Sequence, residues 1–295
     1  MVRVFFVLLL PLLLAAADLH IDHITVVGNS VQKMQAALSS VGIASVYGGP
    51  HIDHTTEMAL VSFPDGSYLE FIALQSGAAP EMIDRHVWAK YLRGDAGPAA
   101  WALRAPGLAA EVARLKASGI PVSDPQRSGR DRPDGVHLEW ETASVGPEPR
   151  GTFFPFLIHD FTPRSQRAFP QDHPVTQDFR GISGVVIAVR DLDASVKRFR
   201  QAYGLPEPLK QVDKQFGARL AMFGGTPVLL AQPLTTDTWL SQRIDRFGEL
   251  PCAFLLAAAN PARYQAASST TWFGRKISWL DAEKLGWRLG FEPAR

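Results

Sequence analysis

The chain has 295 residues, enough for one large domain or two small ones, and a 46% hydrophobic content that can fill a sizeable core. Its 30 basic and 29 acidic residues are mixed along the sequence and leave a formal charge of +1, so there is no electrostatic footprint for nucleic acid. A small, fairly neutral molecule is the partner such a chain suits.

The N-terminus reads MVRVFFVLLLPLLLAAAD. Arg3 precedes an apolar run from Val4 to Leu14 and then three alanines of the small-residue kind that signal peptidases accept, so residues 1–17 are expected to be a signal peptide cleaved before Asp18. The run is short for a membrane span and strand-like residues follow at once. No stable span is therefore expected after cleavage, and the protein is expected to be secreted or periplasmic. The single Cys252, in LPCAFLLAAA, cannot form an internal disulfide and reads as a small buried apolar residue.

Three segments then share one plan, a strand leading into an amphipathic helix that ends at a glycine and an aliphatic residue. The endings are Gly42-Ile43, Gly119-Ile120 and Gly204-Leu205. The helices carry apolar residues at helical spacing: Val31, Met34, Leu38 and Val41; Leu108, Val112 and Leu115; Val196, Phe199 and Tyr203. Each glycine stands where a left-handed C-cap is needed. Short extended stretches follow, separated by turns such as Pro64-Asp65-Gly66 and Gly224-Gly225. The repeat is a βαβββ module, and the fold class is α+β, with three to four paired modules in two halves. A fourth copy is read from about Leu250 through TTWFGRKISWL to GWRLGFEP, without the glycine signal. Polar QDHPVTQDFR, Gln171 to Arg180, reads as the linker between residues 18–168 and a second half, residues 181–295.

This order of elements, with IDHITVV on the first strand, GGPH before the third, FPDGSYLEFIAL on the fourth, then RSGRDRPDG and a closing PFLIHD, resembles the vicinal oxygen chelate superfamily and its glyoxalase-like domain family. The resemblance implies paired βαβββ modules wrapped into a cup of sheet, commonly with a divalent metal that binds vicinal oxygens of a substrate. Members include lyases, isomerases, extradiol dioxygenases and resistance proteins, so the fold leaves the reaction open.

Four of the eight histidines lie in two copies of HIDH, His20 to His23 and His51 to His54. In a strand, residues three apart point to opposite faces, so His20 and His23 cannot share one ion. The same alternation groups Ile21, His23, Thr25 and Val27 on one face and Asp22, Ile24 and Val26 on the other; on the fourth strand it groups Tyr68, Glu70 and Ile72. His23 and Glu70 then both look into the cup and match the family's first-strand and fourth-strand ligand positions. An imidazole and a carboxylate suit zinc, iron, manganese or nickel, and they would equally well bond each other in a cleft. His159, on the closing strand of the second module, is the expected third ligand; a register slip of one residue would put Asp160 there instead. Trp101 aligns with His23 in that module. His51 is a fourth ligand, a general base or a hydrogen-bond donor at the rim, and His54 a surface residue. Arg127, Arg130 and Arg132 form a basic loop; Arg130 is the one assigned to a substrate carboxylate or phosphate, the other two to solvent. Tyr68, Trp101 and Trp140 are candidate pocket walls.

In the second half Gly184 aligns with His23 and Leu230 with Glu70, and neither coordinates metal. That half is expected to be degenerate, serving as scaffold, lid or dimer surface, and a homodimer is an open expectation. The leading functional expectation is an exported metalloenzyme acting on a small oxygen-rich substrate, with lyase or isomerase chemistry through a metal-stabilised enolate in which Glu70 or His51 moves the proton. The alternatives are a metal-free binding protein that sequesters a small molecule in the same cup, and an extradiol-type dioxygenase.

Overall fold

A computed structural model describes residues 19–52, 54–147 and 149–294; the expected signal peptide lies outside them. The first module runs β1 (Ile21–Val27), α1 (Val31–Ser40), β2 (Val46–Pro50), β3 (Thr56–Ser62) and β4 (Tyr68–Leu74). Two short helices, α2 (Pro80–Arg85) and α3 (Ala89–Gly94), lead to the second module: β5 (Gly97–Arg104), α4 (Leu108–Ala117), β6 (Gln126–Asp131), β7 (His137–Ala143) and β8 (Phe156–Asp160). A single turn and a half of helix, α5 (Arg164–Ala168), closes this half.

The second half repeats the plan with β9 (Phe179–Ala188), α6 (Leu192–Tyr203), β10 (Leu209–Asp213), β11 (Ala218–Met222) and β12 (Val228–Pro233), then α7 (Trp239–Phe247). The fourth module has β13 (Pro251–Ala258), β14 (Ser268–Trp272), β15 (Arg275–Trp279), α8 (Ala282–Leu285) and β16 (Arg288–Pro293). Its crossover is a 3-10 turn, Pro261–Arg263, in place of the long helix, which is why the glycine signal is missing there. In the other three modules Gly42, Gly119 and Gly204 all have positive φ, as a left-handed helix end requires.

Each half is one mixed sheet of eight strands, in the order β2-β3-β4-β1-β5-β8-β7-β6 and β10-β11-β12-β9-β13-β16-β15-β14. Strand β1 runs parallel to β4 and antiparallel to β5, so two modules join at the centre of each sheet. The sheet curls until Arg130 on β6 donates to the Gly48 carbonyl on β2 at 2.8 Å. The strand faces turned away from the cups share one core that joins both halves, in which Ile24, Trp101, Phe154, Phe199 and Phe254 are buried. Arg243 of α7 ties the halves together by donating to the carbonyls of Ala96, Pro98 and Pro251. Among the described residues no helix is long and apolar enough to cross a membrane.

The second cup is filled. Phe216, Trp272 and Trp279 pack inside it with ring centroids 5.0–5.5 Å apart, beneath Leu240 and Ile244 of α7. A Cβ on Gly184 would meet Leu229 and Leu255 at 3.0 and 3.1 Å, so this position has no room for a ligand side chain. Leu229 rather than Leu230 faces that cup; Leu230 lies in the shared core.

Candidate functional site

The first cup stays open, as a cavity of about 230 Å³. His23 on β1 and Glu70 on β4 both line it. Their strands are in parallel register with Thr25 opposite Glu70, so the alternation read from the sequence brings both side chains to the same face. His23 Nε2 lies 3.6 Å from Glu70 Oε2, and Thr25 Oγ1 donates to that oxygen at 3.2 Å. His51, just after β2, enters from the rim with Nε2 4.0 Å from Glu70 Oε1, and its Nδ1 is 2.7 Å from Thr56 Oγ1. Two imidazoles therefore aim their Nε2 atoms at the two oxygens of one carboxylate. The answer to the doubled HIDH is one cup histidine from each copy: His20 is exposed at the edge of a different cleft, and exposed His54 takes a positive φ in the turn before β3.

Asp22 departs from simple alternation. The β1–β5 pairing slips between Ile21 and His23, so Asp22 is the extra residue of a β-bulge, and Ile21 is turned into the shared core. The bulge sets the Asp22 carboxylate beside its neighbour's ring, with Oδ1 2.7 Å from His23 Nδ1. Arg167 of α5 binds Asp22 through Nη1 and Nη2 at 2.9 Å each, and Asp160 at the end of β8 through Nε and Nη2 at 2.5 and 2.8 Å. Its Nη1 also donates to the Tyr68 hydroxyl at 2.5 Å. Arg164 donates to Asp22 as well. Burial alone would raise the Asp22 pKa, but the guanidinium of Arg167, the hydrogen bond with His23 and the charge of Arg164 hold it well below the usual carboxylate range. Tyr68 stacks on the His23 ring at 4.9 Å and 11°, and burial pushes its own hydroxyl up, so it stays protonated.

Two expected site residues lie elsewhere. Trp101 pairs directly with Ile24, and paired residues share a face, so its side chain is fully buried in the shared core and is no pocket wall. Its neighbours Ala100 and Ala102 face the cup. His159 is one residue out of phase: Phe156 and Ile158 line the cavity, whereas His159 turns away and packs edge-on against Phe161 at 5.4 Å. Asp160, on the cup side, is taken up by Arg167. The second module thus offers aliphatic and aromatic groups where the first offers donors.

The basic stretch RSGRDRP is a strand and its turn, not a loop. Arg130 points inward, is 3% exposed and lines the cavity; among the described residues no carboxylate pairs with it, and burial draws its pKa down. Arg127 lies over the Phe161 ring. Arg132, expected in solvent, is buried, donating to Asp134 and to the carbonyls of Gln166 and Pro170. Trp140 and Tyr68 line the cavity, joined by Trp88, Arg150 and Arg167, which the sequence reading passed over. The spacing of Arg164 and Arg167, one turn apart after a strand ending in Asp160, was the available signal.

The paired βαβββ sheets and the cup define the fold of a vicinal oxygen chelate protein. Residues 21–203 match the glyoxalase-like domain family, and the chain belongs to that family. A hypothetical protein from Staphylococcus aureus has a similar fold, with a TM-score of 0.64 at 14% identity over 93% of this chain and 99% of that one. Half-length similarities include methylmalonyl-CoA epimerase from Mycobacterium tuberculosis, 14% identical over 41% of this chain and 91% of that one with a TM-score of 0.36. The Streptomyces coelicolor methylmalonyl-CoA epimerase in complex with 2-nitronate-propionyl-CoA is 22% identical over 38% and 93%, with a TM-score of 0.34. No curated protein matches the chain.

Proposed function

We propose that the protein is an exported metal-dependent enzyme that acts on a small substrate carrying adjacent oxygens and a negatively charged group. The convergence of His23 Nε2 and His51 Nε2 on the Glu70 carboxylate, at 3.6 and 4.0 Å, carries the reading. Two imidazoles and one carboxylate form a donor set that binds zinc, iron, manganese or nickel and leaves positions free for oxygen ligands. Around an ion with bonds of about 2.1 Å, neighbouring donors stand roughly 3–3.4 Å apart, so His23 needs a small contraction and His51 a larger one. Among the described residues no group of three or more His, Cys, Asp and Glu side chains is already closed tightly enough to hold an ion. His23, Glu70 and His51 are the residues that would hold it. Bound there, a divalent metal acts as a Lewis acid on a substrate oxygen.

The remaining roles belong to the chain itself. Arg130 presents its charge to a carboxylate or phosphate on the substrate, and Trp88, Trp140, Phe156 and Ile158 supply apolar walls that exclude water. Ile52, 59% exposed at the mouth, extends that apolar surface outward. A Glu70 oxygen, next to the bound substrate, takes the proton from the carbon beside a carbonyl and returns it. Export rests on the sequence of residues 1–17.

The metal-free binding reading is favoured by one observation, that β5 and β8 turn Ala100, Ala102, Phe156 and Ile158 toward the cup where the first module has His23 and Glu70. The two readings separate in one assay. Mature protein reloaded with zinc, nickel or manganese is incubated in D2O with a panel of small 2-oxo and 2-hydroxy carboxylates. The enzyme exchanges the hydrogen next to the carbonyl and loses this activity to a strong chelator. A sequestering protein instead binds one of these probes tightly in the presence of the chelator and exchanges nothing.

A further inference from the structure

We propose that Asp22 and Arg167 are positioning residues that lock His23 as the Nδ1–H tautomer, an inference that rests on the reading of His23 Nε2 as a ligand in the cup. The hydrogen-bond chemistry leads there step by step. The Asp22 carboxylate, 1% exposed, takes donors from Arg167 and Arg164, and an ionised carboxylate only accepts. The ring nitrogen 2.7 Å away must then be the one that carries hydrogen. In the neutral ring this leaves the lone pair on Nε2, which faces Glu70 Oε2 at 3.6 Å. That separation is too long for an N–H to oxygen hydrogen bond and suits two acceptors held apart with room for a cation between them. The opposite tautomer would point an N–H at Glu70 and leave no lone pair on Nε2 for a cation.

Three features hold this arrangement, and each comes from a different part of the fold. The bulge at Asp22 places the acceptor beside the ring. Arg167 is anchored through Asp160 on β8, so the second module sets the orientation of the imidazole on the first. Stacking on Tyr68, whose hydroxyl is itself held by Arg167, fixes the ring plane. An imidazole whose far nitrogen donates to a carboxylate is the arrangement that makes a histidine an effective ligand, and losing such an outer partner costs about 10–100-fold in metal affinity.

The test is a long-range proton–nitrogen correlation spectrum of the metal-free mature protein, residues 18–295, labelled with 15N-histidine at neutral pH, followed by titration with zinc alone. The His23 signal is assigned by its absence in His23→Gln. A protonated Nδ1 and an unprotonated Nε2 in the wild type, with a tautomer switch or mixture in Asp22→Asn and about 10–100-fold weaker zinc binding, supports the inference. An Nε2–H wild-type ring, or an Asp22→Asn protein that keeps both tautomer and zinc affinity, overturns it. If Asp22→Asn does not fold, the wild-type tautomer still decides. An Nδ1–H ring in a protein that never takes up zinc upholds the positioning role and rejects the metal reading, so the two failures are distinguishable.

Discussion

Arg167→Met should destabilise the protein by about 3–5 kcal/mol, the cost of removing one partner from a buried charge network. Arg167 is 2% exposed and pairs with both Asp22 and Asp160, so its loss leaves one fully buried carboxylate and one largely buried one with Arg164 alone. Arg164 holds Asp22 from the partly exposed side and does not replace the bidentate contacts. The change also alters acid stability. Because the Asp22 pKa is depressed in the folded state, its stabilisation is fully present above the unfolded value of about 3.9 and is lost only as pH falls through the lower folded value. Between pH 7 and 5 the wild type therefore gains or loses nothing from this group, and Arg167→Met moves the acid unfolding midpoint toward neutral pH. Urea unfolding at pH 7 and an acid titration measure both; a stability loss under 1 kcal/mol would contradict the network's role.

Glu70→Gln should lower turnover by about 10²–10⁴-fold while leaving stability within about 1 kcal/mol of wild type. Gln has the volume of Glu, and among the described residues the short bond to Glu70 is the one from Thr25 at 3.2 Å, so little of the fold depends on its charge. The chemistry does depend on it. An amide cannot take up a proton near neutral pH and is a poor partner for a divalent cation beside His23 and His51. The measurement is the deuterium-exchange rate of the best probe carboxylate alongside a denaturation curve. Undiminished exchange would remove Glu70 from the proton path.

The sequence disclosed the modules because three module helices end in a glycine that must adopt positive φ, and because alternation from His23 onward on β1 and along YLEFIAL brings His23 and Glu70 to one face. It concealed whatever depends on register or on distant chain. A one-residue phase error placed Trp101 and His159 in the cup, when β5 and β8 turn Ala102, Phe156 and Ile158 toward it. The bulge at Asp22 leaves no mark in local composition, so a carboxylate assigned to the opposite face is the one that holds the His23 ring. Arg167 enters the site because α5 folds back under both modules, a tertiary event that no window of sequence contains. The missing side chain at Gly184 was readable in the second half, but the filling of that cup by Phe216, Trp272 and Trp279 was not, since those residues come from separate modules and meet only in the folded sheet.

The most direct test of the metal site is the metal content of the mature protein, residues 18–295, measured by mass spectrometry for wild type and His23→Ala purified side by side. The account predicts close to one divalent ion per wild-type chain, after reloading if purification strips it, and almost none in the variant. Metal that persists at the same level in His23→Ala, or none in either protein after reloading, would contradict it and leave the cup as a metal-free binding site.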